Sequence, residues 1–130
     1  MKKEEVGLAI RKLKKAVNTL KEGLKKAKTQ LEKDGVIQRF EYTFELFWKT
    51  LKIILKYYGI DCTTPRSCIK EGFKTGFIEN DEKYLDMLED RNLTSHIYNE
   101  KQSKQIFGRV KKYYIKLFLK FLENIDEQDL

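Results

Sequence analysis

The sequence predicts an all-α protein: an antiparallel up-and-down four-helix bundle with one short extra helix. Two observations carry most of this. Gly and Pro are scarce, seven and one in 130 residues, while 36% of the chain is charged and 41% hydrophobic, a balance that favours helix. Apolar residues also recur at helical spacing through the long stretches of the chain, separated by breaker and cap-like residues and by no long linker. Residues 1–130 therefore read as a single domain around one core.

Val6, Ile10, Leu13, Val17, Leu20, Leu24, Ala27 and Leu31 step alternately by four and three, with Lys and Arg on the other faces. This heptad seam predicts a first helix from about residue 3 to 32, broken by Asp34-Gly35. Phe40, Phe44, Phe47, Trp48, Leu51, Ile54, Leu55 and Tyr58 place an aromatic stripe on a second helix that ends at Gly59. Such a stripe is core or subunit interface far more often than a ligand site. Thr64-Pro65 reads as the N-cap and first position of the short extra helix, which Gly76 stops. Asn80 before Asp81-Glu82 opens a further helix through Tyr84, Leu85 and Leu88. Asn99, with Gln102 three residues on, resembles a capping box for the last helix, which reaches about residue 124. Its apolar positions, from Ile106 and Phe107 to Phe121 and Leu122, cover more than one stripe. That width predicts a second buried surface, most simply a like subunit.

Composition also excludes. No run of about 18 apolar residues exists to span a membrane. The N-terminal MKKEEVGLAIRKLKK has the charges of a signal peptide but no apolar stretch behind them, so the expected location is cytoplasmic. Cys62 and Cys68 lack zinc-type spacing, and a single His cannot complete a set of soft ligands, so neither metal nor cofactor is expected. Two free thiols are expected in a reducing compartment. The net charge of +7 is uneven: residues 1–33 hold 11 Lys/Arg and 4 Asp/Glu, and the remaining residues hold 16 of each. A basic first helix draws nucleic acid or an acidic partner, or is simply a solvated face; charge alone does not choose.

Arg91 follows Tyr84 by seven residues and Leu88 by three, which puts it on the inward face of its helix. An inward arginine needs an anion or acceptor to offset its desolvation. Past it the chain turns polar: Asn92, Thr94, Ser95, His96, Tyr98, Asn99. On one unbroken helix Arg91 and His96 would point about 140° apart, so they converge only if the chain leaves the helix between them. The less specific reading gives Arg91 a salt bridge with Glu89, Asp90 or Glu45 and His96 a structural place in a polar loop.

Arg91-x4-His96, with the polar Asn92 directly after the arginine, resembles the Arg-x4–6-His motif of HEPN domains. EDRNLTSHIYNE and RFEYTFELFWKTLK are similar to the branch called nucleotidyltransferase substrate-binding proteins, and the likeness runs over essentially the whole chain. The resemblance implies a homodimeric helical bundle that brings two copies of the motif to a shared cleft. It implies a toxin with metal-independent ribonuclease activity, held in check by a minimal nucleotidyltransferase antitoxin. Carried onto this sequence, Arg91 and His96 are catalytic with Asn92 assisting, Asp90, Thr94 and Ser95 support them, and Tyr98 accepts AMP from the antitoxin.

The chemistry is coherent. Metal-free cleavage of RNA needs a base for the 2′-hydroxyl proton and a cation for the phosphorane. His96 suits the first role and Arg91, by bidentate phosphate contact, the second. The chain holds one His, so either a base-and-acid pair of imidazoles comes from two subunits or another group protonates the leaving oxygen. The alternative is a non-catalytic substrate-binding subunit of a two-component nucleotidyltransferase, in which Arg91, His96 and Tyr98 make contacts only. A purely structural bundle is disfavoured, because an inward arginine and a polar break lower stability without an evident packing return.

Overall fold

A computed structural model describes residues 3–97 and 99–127. Six helical segments follow in order: α1 (Lys3–Lys26), α2 (Gln30–Tyr57), α3 (Pro65–Lys74), α4 (Asp81–Leu93), α5 (Glu100–Arg109) and α6 (Ile115–Glu127). A 3₁₀ turn (Thr94–His96) follows α4, and a π turn (Val110–Tyr114) joins α5 to α6 into one long rod. With α1, α2 and α4 that rod makes the four-helix bundle, and α3 is the short extra helix. No helix among the described residues is long and apolar enough to cross a membrane.

The first break differs from the sequence expectation. α1 stops at Lys26 and α2 begins at Gln30, so Asp34-Gly35 lies inside α2. The cause is a capping box. Thr29 Oγ1 accepts the Glu32 N–H at 3.1 Å, and Glu32 Oε1 accepts the Thr29 N–H at 2.9 Å. These backbone donors, Thr29 first, hold the Glu32 carboxyl below its ordinary range. Leu31 continues the α1 seam only by coincidence of spacing; it is 82% exposed.

The other boundaries follow their signals. At the end of α2, Gly59 takes φ +83°, its N–H reaches the Lys56 carbonyl, and the Ile60 N–H reaches that of Leu55. Thr64 and Asn80 cap α3 and α4, and Gly76 turns at φ +85°. α3 lies close on α2 because Gly72 has no side chain; a Cβ there would sit 3.1 Å from both Leu51 methyls.

Cys62 and Cys68 are not free thiols. They form a disulfide across the Thr64 cap, with Cα atoms 5.2 Å apart. The capping turn brings residue 62 back against the first turn of α3, a pairing on which metal-ligand spacing is silent.

Phe47 is the centre of the core. Its ring meets Phe44 of α2, Tyr84 of α4, and Phe118 and Phe121 of α6, with centroids 4.9–5.8 Å apart. Burying one such ring is worth several kcal/mol, and truncation to Ala in a packed core costs about 3–5 kcal/mol.

The wide apolar face of the last helix is largely taken up within this one chain. Along the rod, Ser103, Ile106, Val110, Tyr114, Phe118, Phe121 and Ile125 are all buried. Their steps are three, four, four, four, three, four. A regular α-helix would drift off the core across three consecutive fours. The π turn, in which the Ile115 N–H bonds to the Val110 carbonyl, absorbs that drift. The width of the face therefore no longer argues for a second subunit.

Candidate active site at the junction of α4 and α5

The chain leaves the α-helix between Arg91 and His96. Arg91 and Asn92 occupy the last turn of α4. The helix is closed by side chains bonding back onto it: Thr94 Oγ1 donates to the Arg91 carbonyl at 2.6 Å, and Ser95 Oγ to that of Asn92 at 3.1 Å. Ile97 is extended, and Asn99 caps α5 by accepting the Gln102 N–H at 2.9 Å. Thr94 and Ser95 thus shape the exit from the helix. Tyr98 lies outside the described residues.

Of the three carboxylates open to Arg91, the structure selects Glu45. Arg91 Nη2 lies 3.0 Å from Glu45 Oε1, and Trp48 Nε1 donates to Oε2 at 2.6 Å. Both partners of the ion pair keep about a third of their side-chain surface, 34% and 37%. The Arg91 Nε is buried and has no hydrogen-bond partner among the described residues. The guanidinium is therefore only partly satisfied: Glu45 takes Nη2, and the buried Nε donates to nothing among the described residues.

His96 sits exposed on the 3₁₀ turn. Taking 100° per α residue and 120° per 3₁₀ residue, it leaves the axis roughly opposite Arg91. By that ideal geometry the change from α to 3₁₀ does not by itself bring position 96 round to the side of the axis that carries Arg91. The shallow cleft beside the motif, about 410 Å³, is edged by Thr94, Ile97 and Asn99 on one side and by Asp34, Gln38 and Glu41 of α2 on the other. Asp34 is held by Ser103 Oγ at 2.7 Å and Gln30 Nε2 at 2.8 Å. The single-chain cleft thus presents more carboxylate than cation.

Asp90 does more than support its neighbour. It is 6% exposed and takes both Nε and Nη2 of Arg109, at 2.6 and 2.9 Å, together with a hydrogen bond from the Tyr114 hydroxyl. Its carboxylate holds the Arg109 proton more firmly than usual. Burial first, and the Asp90 hydrogen bond second, push the Tyr114 phenol well above its ordinary range. The sequence carried a signal for this cluster. Asp90 is three residues after the buried Met87, so an inward carboxylate was already implied and required a cation. The three groups tie α4 to α5 and the π turn at the residue that precedes Arg91 in sequence. Among the described residues no cluster of His, Cys, Asp or Glu is placed to hold a metal ion.

A probable ribonuclease HepT of Haemophilus influenzae is 26% identical over 86 residues, 62% of this chain and 59% of that protein, so the match spans about three fifths of the relative's length. A crystal structure of a Thermus thermophilus protein superposes with a TM-score of 0.80 and 37% identity, covering 87% of this chain and 98% of that one. A Haemophilus influenzae structure, described as the fold of a substrate binding domain of a nucleotidyltransferase, superposes at 0.68 with 20% identity over 95% and 98%, a likeness of fold. Residues 6–127 match the family described as nucleotidyltransferase substrate binding protein like. The chain belongs to that family, a branch of the HEPN helical bundles.

Proposed function

We propose that the chain is a HEPN toxin-like, metal-independent endoribonuclease of the cytoplasm, working as a homodimer. A cognate minimal nucleotidyltransferase antitoxin would restrain it by placing AMP on Tyr98. The observation that carries the reading is the helix exit between Arg91 and His96, which leaves an under-satisfied guanidinium and an exposed imidazole on one short segment. The similarity to a probable ribonuclease HepT supports it. His96 takes the 2′-hydroxyl proton, and the 2′-oxygen attacks phosphorus. Arg91 carries the charge of the phosphorane, and the 5′-oxygen leaves with a proton from the second subunit's imidazole. Each chain carries one His, so a second copy of the motif supplies the second imidazole. In the restraining step the Tyr98 oxygen attacks the α-phosphorus of ATP and pyrophosphate departs, leaving a phosphodiester that competes for Arg91.

Induced expression of the wild type and of Arg91→Ala, His96→Ala and Tyr98→Phe variants tests this. Growth arrest and RNA loss are expected from the wild type and Tyr98→Phe alone. Intact RNA in all four sinks the ribonuclease reading.

One observation favours the second reading, a non-catalytic substrate-binding subunit of a two-component nucleotidyltransferase. The cleft beside the motif is edged by Asp34 and Glu41, and Glu45 already neutralises Arg91, a poor field for an RNA backbone. On that reading His96→Ala weakens capture of the partner enzyme and removes no cleavage.

A further inference from the structure

We propose that the hollow where α4 faces the π turn binds a nucleoside phosphate. The hollow is about 460 Å³, within the range of small-ligand sites, and Arg109 and Tyr114 of the Asp90 cluster form part of its wall. Lys83 of α4, Lys112 of the π turn and Lys116 of α6 line it. All three are exposed, and among the described residues none is ion-paired. Beyond residue 33 the chain's positive and negative charges cancel, so three unpaired ammonium groups around one hollow are a local concentration of positive charge that the sequence average conceals.

The remaining lining is not what a bare anion needs. Tyr113 is 52% exposed, with the Lys112 ammonium 5.3 Å from its ring centroid, and Leu117 supplies apolar lining. A flat aromatic surface beside cations suits a nucleobase carrying phosphate. Asp86, also in the lining, repels a densely charged anion but accepts from ribose hydroxyls or a base amino group. The π turn produces this arrangement. By keeping Val110 and Tyr114 both inward, it leaves Lys112 and Tyr113 outside, beside Lys83. A second hollow, sharing Lys83, Lys116 and Leu117, adjoins the first and gives a polyphosphate tail room to extend.

The site does not depend on the ribonuclease reading. The test is calorimetric titration of the full chain with ATP, with tripolyphosphate, and with a short oligodeoxythymidylate that cannot be cut. ATP is expected to bind more tightly than tripolyphosphate. Lys116→Glu should weaken ATP about tenfold or more through the lost phosphate contact. Tyr113→Ala should weaken ATP several-fold and leave tripolyphosphate unchanged. Both substitutions are at exposed positions, and unchanged thermal melts certify folding. Equal binding of ATP and tripolyphosphate, with no effect of Tyr113→Ala, overturns the proposal in favour of a plain anion patch. Tighter binding of the oligonucleotide than of ATP overturns it in favour of a strand track, and absence of heat with ATP overturns it outright.

Discussion

Arg91 and Trp48 divide one carboxylate between them: the guanidinium takes Glu45 Oε1 at 3.0 Å and the indole N–H takes Oε2 at 2.6 Å. Glu45 therefore cannot turn away from Arg91 without releasing Trp48. The residue that tethers the motif arginine belongs to α2, so the site is fixed by the bundle and not by the loop that carries the rest of the motif.

It follows that RNA must compete with Glu45 for Arg91. Glu45→Gln keeps a hydrogen-bond acceptor and removes the charge. In a His96→Ala background, to prevent cleavage, it should bind single-stranded RNA several-fold more tightly at low salt. Fluorescence anisotropy reads this directly. Weaker binding would mean instead that the carboxylate holds Arg91 in its binding pose.

Asp90→Asn should destabilise the fold by about 2 kcal/mol. Removing one partner of a fully buried pair costs about 3–5 kcal/mol, but the Arg109 side chain is 40% exposed and water recovers part of the loss. Tyr114→Phe, which removes one hydrogen bond to the same carboxylate, should cost about 1 kcal/mol. Urea unfolding of the two singles and the double variant should show less than additive losses; additive losses would dissolve the cluster.

Alkaline pH should unfold the protein through its buried phenols. Burial, with help from Glu79, raises the Tyr84 phenol, and burial with the Asp90 hydrogen bond raises that of Tyr114. The native state then keeps protons that the unfolded chain gives up near pH 10. Stability from these groups is complete below that pH and falls as pH rises above it. Melting temperatures followed upward from pH 9 should drop, and the drop should be shallower in Tyr84→Phe, despite the loss of its hydrogen bond to the Leu117 carbonyl.

Replacing Cys62 and Cys68 together by Ala should lower stability by about 2 kcal/mol, the loop-entropy value for so short a ring. Thiol titration of the denatured, unreduced protein should find neither cysteine. Two titratable thiols in protein purified under air would show that the bridge does not form.

Much of this fold could be read from residue types with one conformational use. Gly59 and Gly76 turn at positive φ, and Thr64-Pro65, Asn80 and Asn99 cap as their chemistry requires. The Thr29–Glu32 box was equally visible, but a seam of matching period ran through it and Leu31 hid the break. At the site, the inward Arg91 and the exit after it were legible from spacing. Its partner was not, because Glu45 is 46 residues away and only tertiary packing chooses it over Glu89 and Asp90. The Cys62–Cys68 bridge depends on a turn whose geometry no spacing rule encodes.

The rod from Glu100 to Glu127 is one residue too long for its own period. If one residue between 111 and 113 were removed, the buried positions Ser103, Ile106, Val110, Tyr114, Phe118, Phe121 and Ile125 would alternate by three and four without a fault. A single-residue deletion, which ordinarily puts half of a helix out of phase with its core, would here bring the two halves into phase. The surplus residue is thus not needed to fill the interior. Its effect is felt on the outer surface, where it swells the rod beside α4, and a shortened relative would share the core yet lack that surface.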